Sequence, residues 1–575
     1  MLRLYRFLKP FSAMVTGVLV FIFLQTMGDL YLPTLMSRII NDGVMSGDTN
    51  KIMQIGGLML LVAGGGVVSA IIAGLLSSKI ALGLGTILRS KVFQRVESFS
   101  LNEFDKLGTA TLITRTTNDI NQIQMVTVLI MRLMVSAPMM AVGGIIMAFR
   151  EDRTLTWVLA AAIPVLALVI ALIASRGMPL FRLVQVKIDK INLVLREKLT
   201  GIRVIRAFDT LDHERKRFDA ANADLTGNFI KVNQVMAFMM PAIMLVMNLT
   251  SLSVIWFGGI RISQGSMDLG ALAAFTQYAM MIMFSMLMLS LMFVMVPRAQ
   301  AAAVRINEVL DTVPAITDAE KPNESFTGRG YVEFKDVTFS YHGAEKPVLR
   351  NISFLARPGE VTAIVGSTGS GKSTLINLIP RFYDVDSGSI LIEGVDVREI
   401  SQESLRAKIG FVPQKAVLFS GSIMENIKFG YDQATEEEIK HAANVAQAAE
   451  FISDMEGGCA HEIEQGGANV SGGQKQRLSI ARALVRKPEI YVFDDSFSAL
   501  DFTTDALLRA ALKKETTEAT VIIVAQRVGT VMDADRIIVL DEGQITGMGT
   551  HKEMLNTCEV YREIVSSQLS EEEIA

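Results

Sequence analysis

Six apolar stretches crowd the first 300 residues of this 575-residue chain, and no comparable stretch follows them. They lie near residues 12–40, 54–80, 125–148, 155–177, 233–259 and 269–296. Each supplies the ~20 residues that a helix needs to cross a bilayer, so a lipid bilayer is the first partner implied. Composition agrees: 50% of the residues are hydrophobic and only 20% are charged, a balance seldom seen in soluble globular proteins. The formal net charge of −4 argues against nucleic acid as a partner. Cys459 and Cys558 both fall in the polar half, which indicates neither a disulfide framework nor a zinc site.

The connections between the stretches set the expected orientation. Residues 41–50, 150–153 and 261–268 are short links. The other two connections are long and basic. One holds Lys79, Arg89, Lys91, Arg95, Lys106 and Arg115, and the other runs from Arg176 through Lys187, Arg196 and Arg206 to Arg215. The positive-inside rule puts these loops and the N-terminus in the cytoplasm. An even number of spans returns the C-terminal half to the same side. Both basic loops keep helical periodicity, so the membrane helices are expected to run well beyond the bilayer. Residues 3–9 read as a short amphipathic segment on the inner surface. The apolar run then continues past Leu35, which fits a retained anchor better than a cleaved signal.

Residues 300–330 read as a link, helical to about 313 and then rich in breakers. From Tyr331 the texture changes, and residues 361–365, 490–493, 521–524 and 536–540 read as buried strands. The expected architecture is multidomain. A six-helix α-helical transmembrane domain covers residues 1–320. A cytosolic α/β P-loop ATPase domain covers 321–575, with its core from 331.

The chemistry lies in that second domain. Gly366-Ser367-Thr368-Gly369-Ser370-Gly371-Lys372-Ser373 follows a strand and precedes a helix from Thr374, the context a P-loop requires. Its glycines let backbone N–H groups turn toward phosphate oxygens, and the helix N-terminus adds positive potential. Lys372 is expected to hold the β- and γ-phosphates of ATP, and Ser373 to ligate Mg²⁺. Asp494 ends an apolar strand, where a carboxylate would order the same ion.

Val470-Ser471-Gly472-Gly473-Gln474, taken with the P-loop and Asp494, identifies an ATP-binding-cassette (ABC) domain. The whole chain resembles an ABC exporter half-transporter, in which six membrane helices are fused to one nucleotide-binding domain. Tyr341 resembles the aromatic that stacks on adenine. Gln414 resembles the Q-loop residue that joins Mg²⁺ to the membrane domain, and Asp501 closes a D-loop-like Ser498-Ala-Leu-Asp501. Residues 108–119 and 201–208 resemble the two intracellular loops. Short coupling helices are then expected near residues 101–107 and 209–214. The resemblance implies head-to-tail pairing of two cassettes, with each ATP held between one P-loop and the other chain's Ser-Gly-Gly-Gln.

Two departures from the family pattern bear on the role. Asp495 stands where the general-base Glu is usual, and its carboxylate is set back by about 1.5 Å against a hydrogen-bond reach of ~2.6–3.2 Å. Gln526 stands where the family has His; an amide donates a hydrogen bond but takes up no proton. The expectation is a slow own site in one subunit of a heterodimeric multidrug-type exporter in a bacterial cytoplasmic membrane. Its partner would be a second ABC half-transporter carrying the catalytic Glu and His. The alternative is a homodimeric lipid flippase or importer of the same fold. A milder departure is Gln465, where the family often has Glu.

The cargo is less legible. Met236, Met239, Met240, Met244 and Met247, then Met280, Met281, Met283 and Met286, crowd the last two spans. Such flexible, polarizable side chains suit lipophilic small molecules, and equally suit lipid or helix packing. Asn248, Gln277 and Tyr278 either line a cavity or bond a neighbouring helix. Pro138, Pro164 and Pro241 read as kinks. No N-terminal peptidase-like segment precedes the first span, which disfavours processed peptides as cargo.

Overall fold

The computed structural model describes residues 1–323 and 330–568. Residues 324–329 of the expected link lie outside the described residues. The chain divides into two compact units, Met1–Glu97 with Ala110–Thr312, and Ser98–Thr109 with Val313–Ala575.

In the first unit, α1 (Leu2–Tyr5) and a 3-10 turn (Arg6–Phe11) lead into α2 (Ser12–Arg38). Next comes α3 (Thr49–Glu97). The seven-residue α4 (Leu101–Leu107) clusters with the second unit. The first unit resumes with α5 (Thr109–Thr114), a π-turn (Arg115–Asp119), α6 (Ile120–Glu151), α7 (Thr156–Thr200), α8 (Ile202–Ala207), α9 (Leu211–Ser263) and α10 (Leu269–Asp311). Six of these helices are long and apolar enough to cross a membrane, as expected. At ~1.5 Å per residue, α3 alone measures about 74 Å, more than twice the ~30 Å hydrocarbon core. The second expected coupling helix is displaced. The short helix is α8, whereas Asp209 takes a left-handed φ of 50° and residues from Leu211 onward already belong to α9. Pro138, Pro164 and Pro241 sit inside unbroken helices.

Small residues set the helix spacing. A Cβ on Gly270 of α10 would stand 2.3 Å from the Ser37 backbone oxygen of α2, so this contact requires glycine, whereas one on Gly143 or Gly258 would only push a leucine side chain aside. Polar ties lock particular pairs. The buried Tyr278 hydroxyl donates to the Leu30 carbonyl at 2.8 Å and shares a 2.7 Å bond with Thr34, which fastens α10 to α2. Of the two roles open to Tyr278, it bonds a neighbouring helix, while Asn248 is exposed on α9. Arg261 meets the buried Asp152 at 2.6 Å. Arg305 grips the buried Asp119 through two bonds. The methionines divide: Met283 is buried, whereas Met240, Met244 and Met280 are exposed.

The second unit opens with a sheet of β1 (Val332–Phe339), β2 (Leu349–Ala356), β4 (Ser387–Ile392) and β5 (Val395–Asp396), in the order β2-β1-β4-β5. A six-stranded sheet holds β3 (Val361–Gly366), β6 (Ile409–Val412), β9 (Ile490–Asp494), β10 (Thr520–Val524), β11 (Arg536–Asp541) and β12 (Gln544–Gly549). Its order is β12-β11-β3-β10-β9-β6. Only β12 is antiparallel in it, and a separate two-stranded ribbon pairs β7 (Gly421–Ser422) with β8 (Glu462–Ile463). The strands β9 and β10 are buried throughout, which is why they read as continuous apolar runs. One core packs Val365, Phe493 and Ile523 with the surrounding helices. The other packs Ile364, Val492 and Ile522 with β1, β2 and β4. The two sets alternate along each strand, as period-two side chains must.

Candidate nucleotide site

Strand pairing assembles the site. In register, Val412 faces Phe493, Asp494 faces Val524, and Val524 faces Ile364. The residues just beyond are Gln414, Asp495, Gln526 and Gly366, so four separate motifs emerge side by side at the carboxyl ends of parallel strands. That edge is where open α/β sheets bind ligands.

The P-loop is shaped by glycines that no other residue replaces. A Cβ on Gly366 would stand 2.1 Å from the Leu540 carbonyl oxygen. Gly371 has φ 101°, and its Cβ would stand 2.8 Å from Leu349 Cδ2. The buried Lys372 Nζ donates to the carbonyls of Gly366 at 2.8 Å and Ser367 at 2.7 Å. Burial pushes its ammonium below the ordinary value, while the Asp495 and Asp494 carboxylates pull it back. The Ser370 hydroxyl is buried without a hydrogen-bond partner among the described residues. A lysine curled onto its own loop, with an orphaned hydroxyl beside it, fits a polyphosphate cradle.

Ser373 Oγ donates to Asp494 Oδ1 at 2.9 Å, the pair expected to share Mg²⁺. Burial lifts the Asp494 carboxyl above the usual carboxylate range; the Ser373 hydrogen bond opposes this, and the neighbouring Asp495 charge adds to it. Two adjacent buried carboxylates beside Lys372 suit a hard divalent cation with oxygen ligands. Asp495 has φ 46°, a left-handed conformation that Asp tolerates better than most residues. Its Oδ2 accepts from Gln414 Nε2 at 3.3 Å.

Tyr341 lies beside the P-loop, its hydroxyl 3.0 Å from Thr374 Oγ1. Its ring packs edge-on against Tyr383 at 5.4 Å, and the Tyr383 hydroxyl donates to Asp105 on α4 at 3.2 Å. The helix expected to couple the two domains thus reaches the residue after Ser373 through two tyrosines.

Ser471 N-caps α16 (Gly472–Leu484), which follows α11 (Lys372–Asn377), α12 (Gln402–Ala407), α13 (Ile423–Lys428), α14 (Glu436–Val445) and α15 (Ala449–Asp454) in the chain. A capping box joins Ser471 and Gln474, leaving Ser471 and Gly472 exposed. Among the described residues no hydrogen bond links Ser471–Gly472–Gly473–Gln474 to the P-loop. Within one chain, the structure therefore gathers Gly366 to Thr374, Gln414, Asp494, Asp495, Gln526 and Tyr341, and leaves the signature facing elsewhere. Asp501 caps α17 (Phe502–Glu515) through the Thr504 amide at 2.9 Å. Gln465 is exposed in a 3-10 turn.

One residue escaped the sequence reading. Gln568, just beyond α19 (Glu559–Ser566), which follows α18 (His551–Thr557), donates from Nε2 to the Gln526 carbonyl at 2.8 Å. Its Oε1 accepts from the Val528 amide, also at 2.8 Å. It clamps the backbone on both sides of Arg527, and no local pattern announces a tie across 42 residues. Gln568→Ala is expected to remove both bonds, each worth about 0.5–1.5 kcal/mol, and to speed amide exchange at Val528 roughly tenfold. Hydrogen exchange with mass spectrometry reads this; unchanged protection would show that the clamp holds nothing.

A six-helix membrane unit joined to a P-loop ATPase unit defines an ATP-driven membrane transporter. Residues 15–286 match the family model of the ABC transporter transmembrane region, and 349–498 that of the ABC transporter. The chain is 44% identical to an uncharacterized ABC transporter ATP-binding protein of Mycobacterium tuberculosis, over 98% of this chain and 97% of that one. It is 33% identical to a fatty acid ABC transporter ATP-binding/permease protein of the same species, over 82% of this chain and 75% of that one. The structure of a bacterial Atm1-family ABC exporter with ATP bound superposes with a TM-score of 0.81 and 25% identity, covering 97% of this chain and 98% of that one. This chain belongs to the ABC transporter family and has the architecture of an Atm1-type exporter half-transporter. Its ATPase domain implies ATP binding, its helices make it a multi-pass membrane protein, and exporters of this fold act as dimers in a bilayer.

Proposed function

We propose that this chain is the slow-site subunit of a heterodimeric exporter of lipophilic compounds, in a bacterial cytoplasmic membrane with its ATPase domain in the cytoplasm. The pairing of Asp495 with Gln526 at one strand-end site carries the reading. Lys372 holds the phosphates, and Ser373, Gln414 and Asp494 hold Mg²⁺, which neutralises phosphate charge when bound. Tyr341 receives the adenine. Asp495 stops short of the attacking water and is held by Gln414, while Gln526 donates to the γ-phosphate without accepting a proton. Ser471, Gly472, Gly473 and Gln474, with Asp501 beside them, complete the active site of a partner that supplies Glu and His.

ATP held at both sites closes the cassettes, and α4 carries that closure toward the membrane helices. Moving a two-state equilibrium from 1:99 to 99:1 takes ~5.5 kcal/mol of differential binding, within reach of two sandwiched nucleotides. The basic long loops support the orientation. The methionine-rich last spans and the fatty-acid transporter among the relatives support a lipophilic cargo.

Mg-ATPase activity of this chain alone and with its partner, in lipid, tests the reading. Little turnover alone and robust turnover together, lost when the partner's Glu is replaced, is the expected result. Robust turnover by this chain alone would show that Asp495 and Gln526 suffice, and the homodimeric flippase or importer would take its place.

A further inference from the structure

Asp29 is an acid placed inside the first membrane helix. It stands roughly ten residues, about 15 Å, before the end of α2 at Arg38, near the middle of a ~30 Å hydrocarbon core. Its polar partner is the Gln25 amide one turn earlier, and among the described residues no cation lies within ion-pair reach. A carboxylate facing lipid there is costly, so such groups face cavities and mark the paths of what is transported.

Asp29 lines an open hollow on the helix bundle, at which Gln277 and Met280 are exposed. A space of about 440 Å³ is lined by Asp29 and Leu32 on α2, Met140 on α6, and Gln277, Met280 and Met281 on α10. That volume lies in the range of small-molecule sites. Its wall combines one carboxyl group, one amide, the Thr276 hydroxyl and three polarizable thioethers, with Leu32 and Pro33. The charge attracts a cation and repels an anion, and the thioethers adapt to bulky apolar groups.

We propose that Asp29 is the charge-selecting residue of a lipophilic-cation site between α2, α6 and α10. The inference rests on the exporter reading and narrows its cargo to molecules with a delocalised or shielded positive charge, such as quaternary ammonium or phosphonium compounds. A free fatty-acid anion is disfavoured.

The test uses the full chain, alone or with its partner, in nanodiscs of neutral phosphatidylcholine without nucleotide. Radiolabelled tetraphenylphosphonium is the probe, with empty nanodiscs subtracted. Saturable binding is expected, displaced by unlabelled cation and not by tetraphenylborate, an anion of the same shape, or by myristate. Asp29→Asn is expected to weaken binding roughly tenfold, the worth of one partly screened ion pair, and Asp29→Glu to restore it. Equal displacement by tetraphenylborate overturns the proposal in the unsubstituted protein, whatever the variants do. Unchanged affinity in Asp29→Asn, or no saturable binding, overturns it too. If lipophilic cations stimulate the ATPase equally in the parent chain and in Asp29→Asn, this site fails and the exporter reading stands. If no lipophile of any charge stimulates it, the exporter reading itself fails.

Discussion

Replacing Asp495 with Glu and Gln526 with His is expected to raise ATP turnover at this chain's own site by about 10²–10⁴-fold, the usual worth of a positioned general base. The extra methylene advances the carboxylate toward the attacking water, and the imidazole both donates to the γ-phosphate and shares the proton. Two features oppose the gain. The left-handed backbone at residue 495 suits Asp better than Glu, at a cost of about 1–2 kcal/mol. The Gln414 amide, 3.3 Å from the Asp495 carboxylate, must also be displaced or carried along. The backbone cost is smaller than the ~2.7–5.5 kcal/mol that corresponds to ~10²–10⁴ in rate, and the Gln414 hydrogen bond to a charged group, about 1.5–3 kcal/mol, sets the gain toward the lower end. The measurement is single-site turnover with the partner's catalytic Glu inactivated. ATP affinity should stay level, because Lys372, Ser373 and Asp494 are untouched. A double variant that binds ATP normally and gains no turnover would count against the proposed slow-site reading.

Ser471→Asp is expected to cut the ATPase rate of the assembled transporter by about 10²-fold or more while leaving this chain folded. The reason lies in the cap. Ser471 Oγ accepts from the Gln474 amide at the start of a 13-residue helix, and Asp caps a helix as well as Ser does. The fold therefore keeps its capping bond. What changes is charge: a carboxylate replaces a hydroxyl at an exposed helix N-terminus, the place where the partner's bound phosphate is read to approach. Thermal unfolding and ATP binding at Lys372 provide the controls, and both should match the parent chain. If turnover persists at the parent rate, Ser471 does not face a nucleotide, and the assignment of the signature to a partner's site is wrong.

Much of this was legible along the chain because it is local. A span of apolar residues long enough for a bilayer is a property of consecutive residues, and so is a Gly-rich turn that opens a helix at Lys372 and Ser373. The signature Ser471-Gly472-Gly473-Gln474 was visible for the same reason, whereas its capping box appeared only in the structure. The second coupling helix was misplaced because two weak breakers lie close together. Gly201 ends α7 and α8 follows at once, whereas Asp209 marks the turn into α9. Either could have been the start of a short helix by pattern alone. Asp29 carried a readable signal, a lone acid within an apolar run, but nothing in the run says whether it meets a cation or a cavity.

The sequence by itself determined six membrane-crossing helices and a P-loop ATPase, and it placed Asp495 and Gln526 where the family resemblance expects Glu and His, since each depends on residue type and near-neighbour spacing. The tertiary structure decided which of these pieces share a site. Ser373 and Asp494 lie 121 residues apart, and only the order β6-β9-β10-β3 brings their side chains to 2.9 Å. It also decided that Gln568 clamps the loop around Arg527, that Tyr278 ties two helices, and that Asp29 opens onto a methionine-lined space. Contacts between distant residues are set by strand register and helix packing, and no short stretch of sequence encodes either alone.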